Sequence, residues 1–204
     1  MSSRTNRKDQ RIVWCDMEMT GMFVCFNSTS FYLLIYFHLG LDIDKDRVLE
    51  VAIIITDSHL NVIANGPNLI INQSDDQLDS MNDWCKENLK ELAVLSKNSV
   101  ITETQAEDTI LEFLKQHIDE NKCPLAGNTI YMDRMFLRKY FSRIDQYLSY
   151  RIIDVTTVKE LCKRWDGKVF SNCPKKKLCH RAFDDIIESI EELKYYKTNF
   201  FKTE

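Results

Sequence analysis

The amino-acid sequence predicts an α/β domain whose mixed sheet combines an antiparallel meander of about three strands with two parallel strands, flanked by helices. Two observations carry this. The run Val48-Leu-Glu-Val-Ala-Ile-Ile-Ile-Thr56 is nearly continuous in apolar, mostly β-branched residues, and an Asp57-Ser-His turn leads from it into a returning extended stretch. Beyond Ser74 the apolar spacing becomes helical, and helices then alternate with short strands.

Residues 11–16 make the first strand, with Ile12, Val13 and Trp14 running into Cys15 and Asp16. Residues 60–72 read as one or two returning strands broken at Gly66-Pro67, because proline cannot donate to a ladder. Leu78, Met81, Trp84 and Cys85 share a helical face, and a longer helix fits Glu103 to Ile118. Cys123-Pro-Leu-Ala-Gly-Asn128 reads as a short buried strand ending in a tight turn. Met132 to Tyr147 is helical, Tyr150 to Val155 is a strand, and helices follow at 155–165 and 181–197. No internal repeat or low-complexity tract interrupts this order.

One stretch is out of character. Residues 22–40 are strongly apolar, yet their longest apolar run, Phe31 to Phe37, is far short of the ~20 residues a membrane span needs. The segment reads either as a hydrophobic hairpin arm or as a piece with no evolved place in the fold.

A chain of 204 residues suits one domain with its own core, expected over 1–204. A net charge of -4 argues against a broad basic surface for long nucleic acid, while allowing a local pocket for a small anionic substrate. The seven cysteines contain no CxxC pair, which points to reduced thiols rather than a disulfide frame or a zinc site. The polar N-terminus does not read as a signal or transit peptide. The expected location is the cytoplasm, with a mitochondrial form left open.

The chemistry lies in the acids. Asp16 and Glu18 are spaced i and i+2, so on a strand they share one face while Cys15 and Met17 enter the opposite layer. Two buried like charges repel and lose solvation unless a cation lies between them, and Mg²⁺ or Mn²⁺ prefers such oxygen ligands. Asp133 opens a helix whose Phe136, Leu137 and Tyr140 can pack on the sheet. His180 and either Asp184 or Asp185 lie together at the start of the last helix. Lys175-Lys-Lys177, just before them, reads as a solvated charge run. Four carboxylates from separate elements suffice for two divalent ions, which can activate a water against a phosphodiester, and a neutral histidine can take the proton.

The blocks WCDMEMTG, LDIDKDRVLEVAIIITDSHLNVIANGPNLII, LDSMNDWCKE, CPLAGNTIYMDRMFLRKY, YRIIDVTTVKELCKRW and HRAFDDIIESIEELKYY resemble the oligoribonuclease family, DEDD-type 3′-to-5′ exonucleases with a histidine base. The resemblance covers nearly the whole chain outside 22–40. It implies a ribonuclease H-like fold, two Mg²⁺ or Mn²⁺ ions and a homodimer. The implied substrate is very short single-stranded RNA, down to dinucleotides, released as 5′-mononucleotides. Matched position by position, Asp16, Glu18, Asp133 and Asp185 are the implied metal ligands and His180 the general base. Asp185 is preferred over Asp184 because the family's last acid lies five residues after its histidine. Tyr150 and Arg151 match a pair that reaches the neighbouring subunit's site and helps cap the 5′ end. Thr129 and Thr156 stand where the family has phosphate-contacting serines, and Leu41 and Trp84 match apolar residues that bracket the bases.

Three departures qualify the expectation. Asn88-Leu-Lys-Glu-Leu-Ala-Val-Leu95 replaces a histidine- and glycine-containing loop of the 5′-phosphate cap, which predicts weaker selectivity for dinucleotides. Tyr131-Met132 replaces more polar residues beside Asp133. Removing 22–40 would join Gly21 to Leu41 and restore the family's uninterrupted MTGLDIDKDRVLEVA, so the segment is either a lineage-specific arm or a retained intron or gene-model error. The competing expectations are therefore a less length-selective 3′ exonuclease on single-stranded RNA or DNA, and a catalytically impaired isoform.

Overall fold

Alternation along two neighbouring strands sets the architecture. A computed structural model of the protein describes residues 8–21, 41–177 and 180–201, so the atypical segment 22–40 lies outside the described residues. Strand β1 (Ile12–Met19) pairs antiparallel with β2 (Val48–Thr56), which pairs antiparallel with β3 (Val62–Ile70). On its other side β1 pairs in parallel with β4 (Leu125–Gly127), and β4 with β5 (Ile152–Asp154), giving the order β3-β2-β1-β4-β5. The expected meander and parallel pair are both present. The helices are α1 (Asp75–Asp79), α2 (Asp83–Asn88), α3 (Lys90–Asn98), α4 (Glu103–His117), α5 (Tyr131–Tyr140), α6 (Ser142–Tyr147), α7 (Val155–Trp165), α8 (Gly167–Ser171) and α9 (Ala182–Asn199).

Successive residues of β1 enter different cores. Val13, Cys15 and Met17 pack with Val51, Ile53 and Ile55 against Ile110 and Leu114 of α4, Phe136 and Leu137 of α5 and Ile144 of α6. Ile12 and Trp14 pack with Ala52 and Ile54 against Val155 and Cys162 of α7 and Ile186, Ile190 and Tyr196 of α9. Burying each such large side chain stabilises the fold by roughly 1.5–3 kcal/mol. The Trp14 indole donates to Thr56 Oγ1 at 3.0 Å, so neither polar group is stranded inside.

Several boundaries differ from the expectation. The first strand continues to Met19 rather than stopping at 16, because β2 supplies pairing as far as Glu18 opposite Glu50 and Met19 opposite Val48. Glu18 therefore lies within the strand with Asp16, not past its end. Gly66-Pro67 does not break β3, which runs through with a register shift between Ala52 and Ile54 of β2. A Cβ on Gly66 would sit 2.7 Å from the Ile53 carbonyl, so only glycine permits that approach. The expected helix 132–147 is two helices, divided at the fully buried Phe141 (φ -135°, ψ 53°). The strand expected over 150–155 is only Ile152–Asp154. Helix α8 was not expected.

Candidate active site

On β1 the row Ile12, Trp14, Asp16, Glu18 passes from core to cleft, facing Thr56, Ile54, Ala52 and Glu50 on β2. Apolar at one end and acidic at the other, this row delivers two carboxylates to a single face. On the other edge of β1, pairing stops early: β4 ends at Gly127, and its last partner pair is Trp14 with Ala126. Past that point the Met17 amide donates to the Asp133 carboxylate, brought in by the first turn of α5. Gly127 makes the turn that allows this, since a Cβ there would lie 2.8 Å from the Cys15 carbonyl oxygen and 2.9 Å from Ile130 Cδ1.

Asp16, Glu18 and Asp133 line a cleft of about 230 Å³ with Gly21, Leu41, Leu89, Asn128, Thr129 and Met132. From α9 come His180, just before the helix, and Asp185, in its first turn. Glu18, His180 and Asp185 each place a ligand atom so that all three lie within 4.8 Å of one another. The His180 ring meets the Trp84 ring edge-on, with centroids 5.1 Å apart.

The electrostatics of this cluster are adverse as it stands. Burial, then repulsion from Asp185, Glu50 and Asp133, pushes the Glu18 carboxyl up to about 8. Burial raises Asp133 to about 8, against the stabilising amides of Asp133 itself and Met17. Asp16 is driven well above the usual carboxylate range by burial and by Asp133, Glu18 and Asp185, and Asp185 is raised chiefly by burial. Buried acids that repel one another this way are the donor set a hard divalent ion requires, and the residues present fit one. Asp16 and Asp133 line the cleft with Glu18, and His180 and Asp185 meet Glu18 from the start of α9.

Beside the acids, Asn128 and Thr129 form a polar corner. Thr129 adopts a left-handed backbone (φ 54°), a conformation that costs a β-branched residue about 1–3 kcal/mol. It is held there by Asp154 and Thr156, whose side-chain oxygens both accept from the Thr129 amide at 3.0 Å. The Thr129 and Thr156 hydroxyls are 3.1 Å apart. Of the substrate-binding expectations, the structure places Leu41 and Thr129 on the cleft, Thr156 against Thr129, and Trp84 against His180. Tyr150 and Arg151 are not gathered with them. Tyr150 is 76% exposed, with the Arg151 guanidinium over its ring, and Arg151 lines a separate hollow with Arg11, Lys122 and Ser149.

The family model RNase_T, described as an exonuclease, matches residues 13–193. Human mitochondrial oligoribonuclease is 49% identical over 195 residues, covering 95% of this chain and 74% of the human protein. The chain belongs to the oligoribonuclease family. A probable oligoribonuclease of Dictyostelium discoideum is 47% identical, with 97% of this chain and 94% of that protein covered. The Chromobacterium violaceum oligoribonuclease is 42% identical, with 94% and 96% covered. Among solved structures, the zinc-bound E. coli exonuclease I complex with single-stranded DNA superposes with a TM-score of 0.67 at 17% identity, over 93% of this chain but only 40% of that one. This likeness establishes the fold, which is ribonuclease H-like.

Sequence reasoning missed three residues of this oligoribonuclease-family site. Lys176 is not simply solvated: its ammonium donates to Ser189 Oγ at 3.1 Å and lies near enough to lower both Asp16 and Asp185. Nothing distinguishes it from its neighbours in a three-lysine run. Asn128 donates to Ser189 Oγ at 2.9 Å and Glu192 Oε2 at 3.2 Å, joining the polar corner to α9. Glu50 is fully buried and bound by Arg181. Its signal was available as the lone charge in an otherwise apolar strand. Among the described residues, no helix is long and apolar enough to cross a membrane.

Proposed function

We propose that the chain hydrolyses very short single-stranded RNA from its 3′ end, down to dinucleotides, releasing 5′-mononucleotides. The observation that carries this reading is the meeting of Glu18, His180 and Asp185 within 4.8 Å, beside the half-buried Asp16 and the buried Asp133, in a chain of the oligoribonuclease family. Asp16, Glu18, Asp133 and Asp185 would hold two divalent ions, Mg²⁺ or Mn²⁺. Ions bound there supply a water of lowered pKa and Lewis acidity toward the phosphodiester. His180 takes the proton of the attacking water, with its ring steadied against Trp84. Leu41 and Trp84 bracket the bases, and the Thr129 and Thr156 hydroxyls donate to phosphate. The active assembly is a homodimer in which exposed Tyr150 and Arg151 cap the 5′ end in the neighbouring subunit. One exonuclease domain spans the chain, in keeping with the match over 13–193. The cytoplasm is its proposed location, in keeping with the free cysteines among the described residues.

A less length-selective reading has an observation of its own. Residues 88–95, where the family carries a cap loop, are taken up by the end of α2 and by α3, with the apolar Leu89 between them on the cleft wall. Dinucleotides and seven-mers should then be hydrolysed at more similar rates than by typical relatives.

The deciding experiment is hydrolysis of a short 5′-labelled RNA with Mn²⁺ by the wild type, Asp185→Ala and a chain lacking 22–40. Mononucleotide release should require metal and collapse in Asp185→Ala. Metal-dependent release that survives this substitution would sink the site assignment.

A further inference from the structure

Glu50 is a fully buried acid on β2, opposite Glu18 in the strand register. Arg181 answers it with a planar fork: Nε lies 3.0 and 3.3 Å from the two carboxylate oxygens and Nη2 2.8 Å from Oε1. The Ala182 amide also donates to Glu50 Oε2, at 3.3 Å. Arg181 is the N-cap residue of α9 and gives no side-chain cap of its own, so a carboxylate from the sheet fills that place. The residue before it, His180, has a left-handed backbone (φ 50°) that its own side chain does not favour over the ordinary regions. Something must hold it there. A two-point guanidinium–carboxylate contact fixes direction as well as distance, which a lysine cannot do.

We propose that Glu50 and Arg181 are positioning residues, a tether from β2 to the start of α9 that sets His180 and Asp185 against Glu18. Because Arg181 occupies its carboxylate, Glu50 is not a fifth ligand. The inference rests on the reading of His180 as the base and Asp185 as a metal ligand. Neither residue of the pair touches the reacting atoms. Their effect is on the placement of groups that do, and a displacement of about 1 Å suffices to cost roughly a hundredfold in rate.

Two variants test this. Arg181→Lys keeps the charge and loses the fork, and the double variant Glu50→Gln/Arg181→Gln removes both charges, so that no buried ion is left unpaired. Each is assayed on short 5′-labelled RNA with Mn²⁺, and amide hydrogen exchange is measured on the metal-free protein. The expected result is a kcat lower by about tenfold to a hundredfold with KM within about twofold. Exchange across 182–186 should rise while that of α4 stays as in the wild type. An unchanged kcat in both variants overturns the tether's role, and so does a raised KM at unchanged kcat, which would make Arg181 a substrate contact. If the wild type itself is inert, the functional reading falls and exchange alone decides. Faster exchange at 182–186 then upholds the tether, and unchanged exchange overturns it.

Discussion

Raising the pH should destabilise the metal-free protein, and a divalent metal should reverse the trend. Glu18 has an ordinary value of 4.5 and is pushed to about 8 in the fold, so its protonated form is the one folding favours. That contribution is complete below about 4.5 and is lost as pH rises through about 8. Between about pH 5.5 and 8.5 the loss from Glu18 alone comes to about 3 kcal/mol by linkage. For a chain of this size that is about 6–12 °C in Tm. Asp133, also pushed to about 8, acts in the same direction. A metal held by the ionised acids of the folded state alone would, at a hundred times its Kd, return about 2.7 kcal/mol. Differential scanning calorimetry in chelator and in Mn²⁺ across this range is the assay, with Glu18→Gln as the comparison. The metal-free Tm should fall with pH, Mn²⁺ should raise it more at high pH than at low, and Glu18→Gln should flatten the metal-free slope. A wild-type Tm that is level or rising without metal would refute the reasoning, because it would mean the acids do not face one another in a desolvated cleft.

Other substitutions test neighbouring parts of the argument. Asp133→Asn should lower metal-dependent hydrolysis by more than about a hundredfold, since even outer contacts of a metal site are worth roughly 10–100-fold. Its metal-free melting temperature should hold or rise, because a buried charge is removed while an acceptor for the Met17 amide remains. Gly127→Ala should cost about 1–3 kcal/mol by denaturant titration, since the new methyl meets the Cys15 carbonyl and Ile130. Trp14→Phe leaves the Thr56 hydroxyl buried without its donor and should cost about 1–3 kcal/mol by the same measurement.

What the sequence disclosed follows from how local each signal is. The common face of Asp16 and Glu18 depends only on strand alternation and was legible, as was Asp133 at the start of its helix, whereas helical spacing alone left Asp184 and Asp185 open and the family resemblance chose Asp185. The length of β1 was not, because Met17 to Met19 stay extended only through pairing with a strand some thirty residues away. Lys176 was lost among like residues, and its place beside Asp16 and Asp185 comes from tertiary packing alone. Glu50 was passed over inside an apolar run, because the residue that neutralises it lies 131 positions further on. The left-handed turns at Thr129 and His180 carry no glycine to announce them.

The shortness of β4 has a consequence for how this chain can change over evolutionary time. Its three residues end where the Met17 amide begins to serve Asp133. One more residue of pairing would offer that amide a main-chain carbonyl and take from the acid one of its two amide donors. An insertion or deletion between Gly127 and Asp133 would therefore disturb the contact between that amide and the acid. The buried acid is held by the register of a strand that stops, and so the length of that strand is as much a part of the cleft as the carboxylate itself.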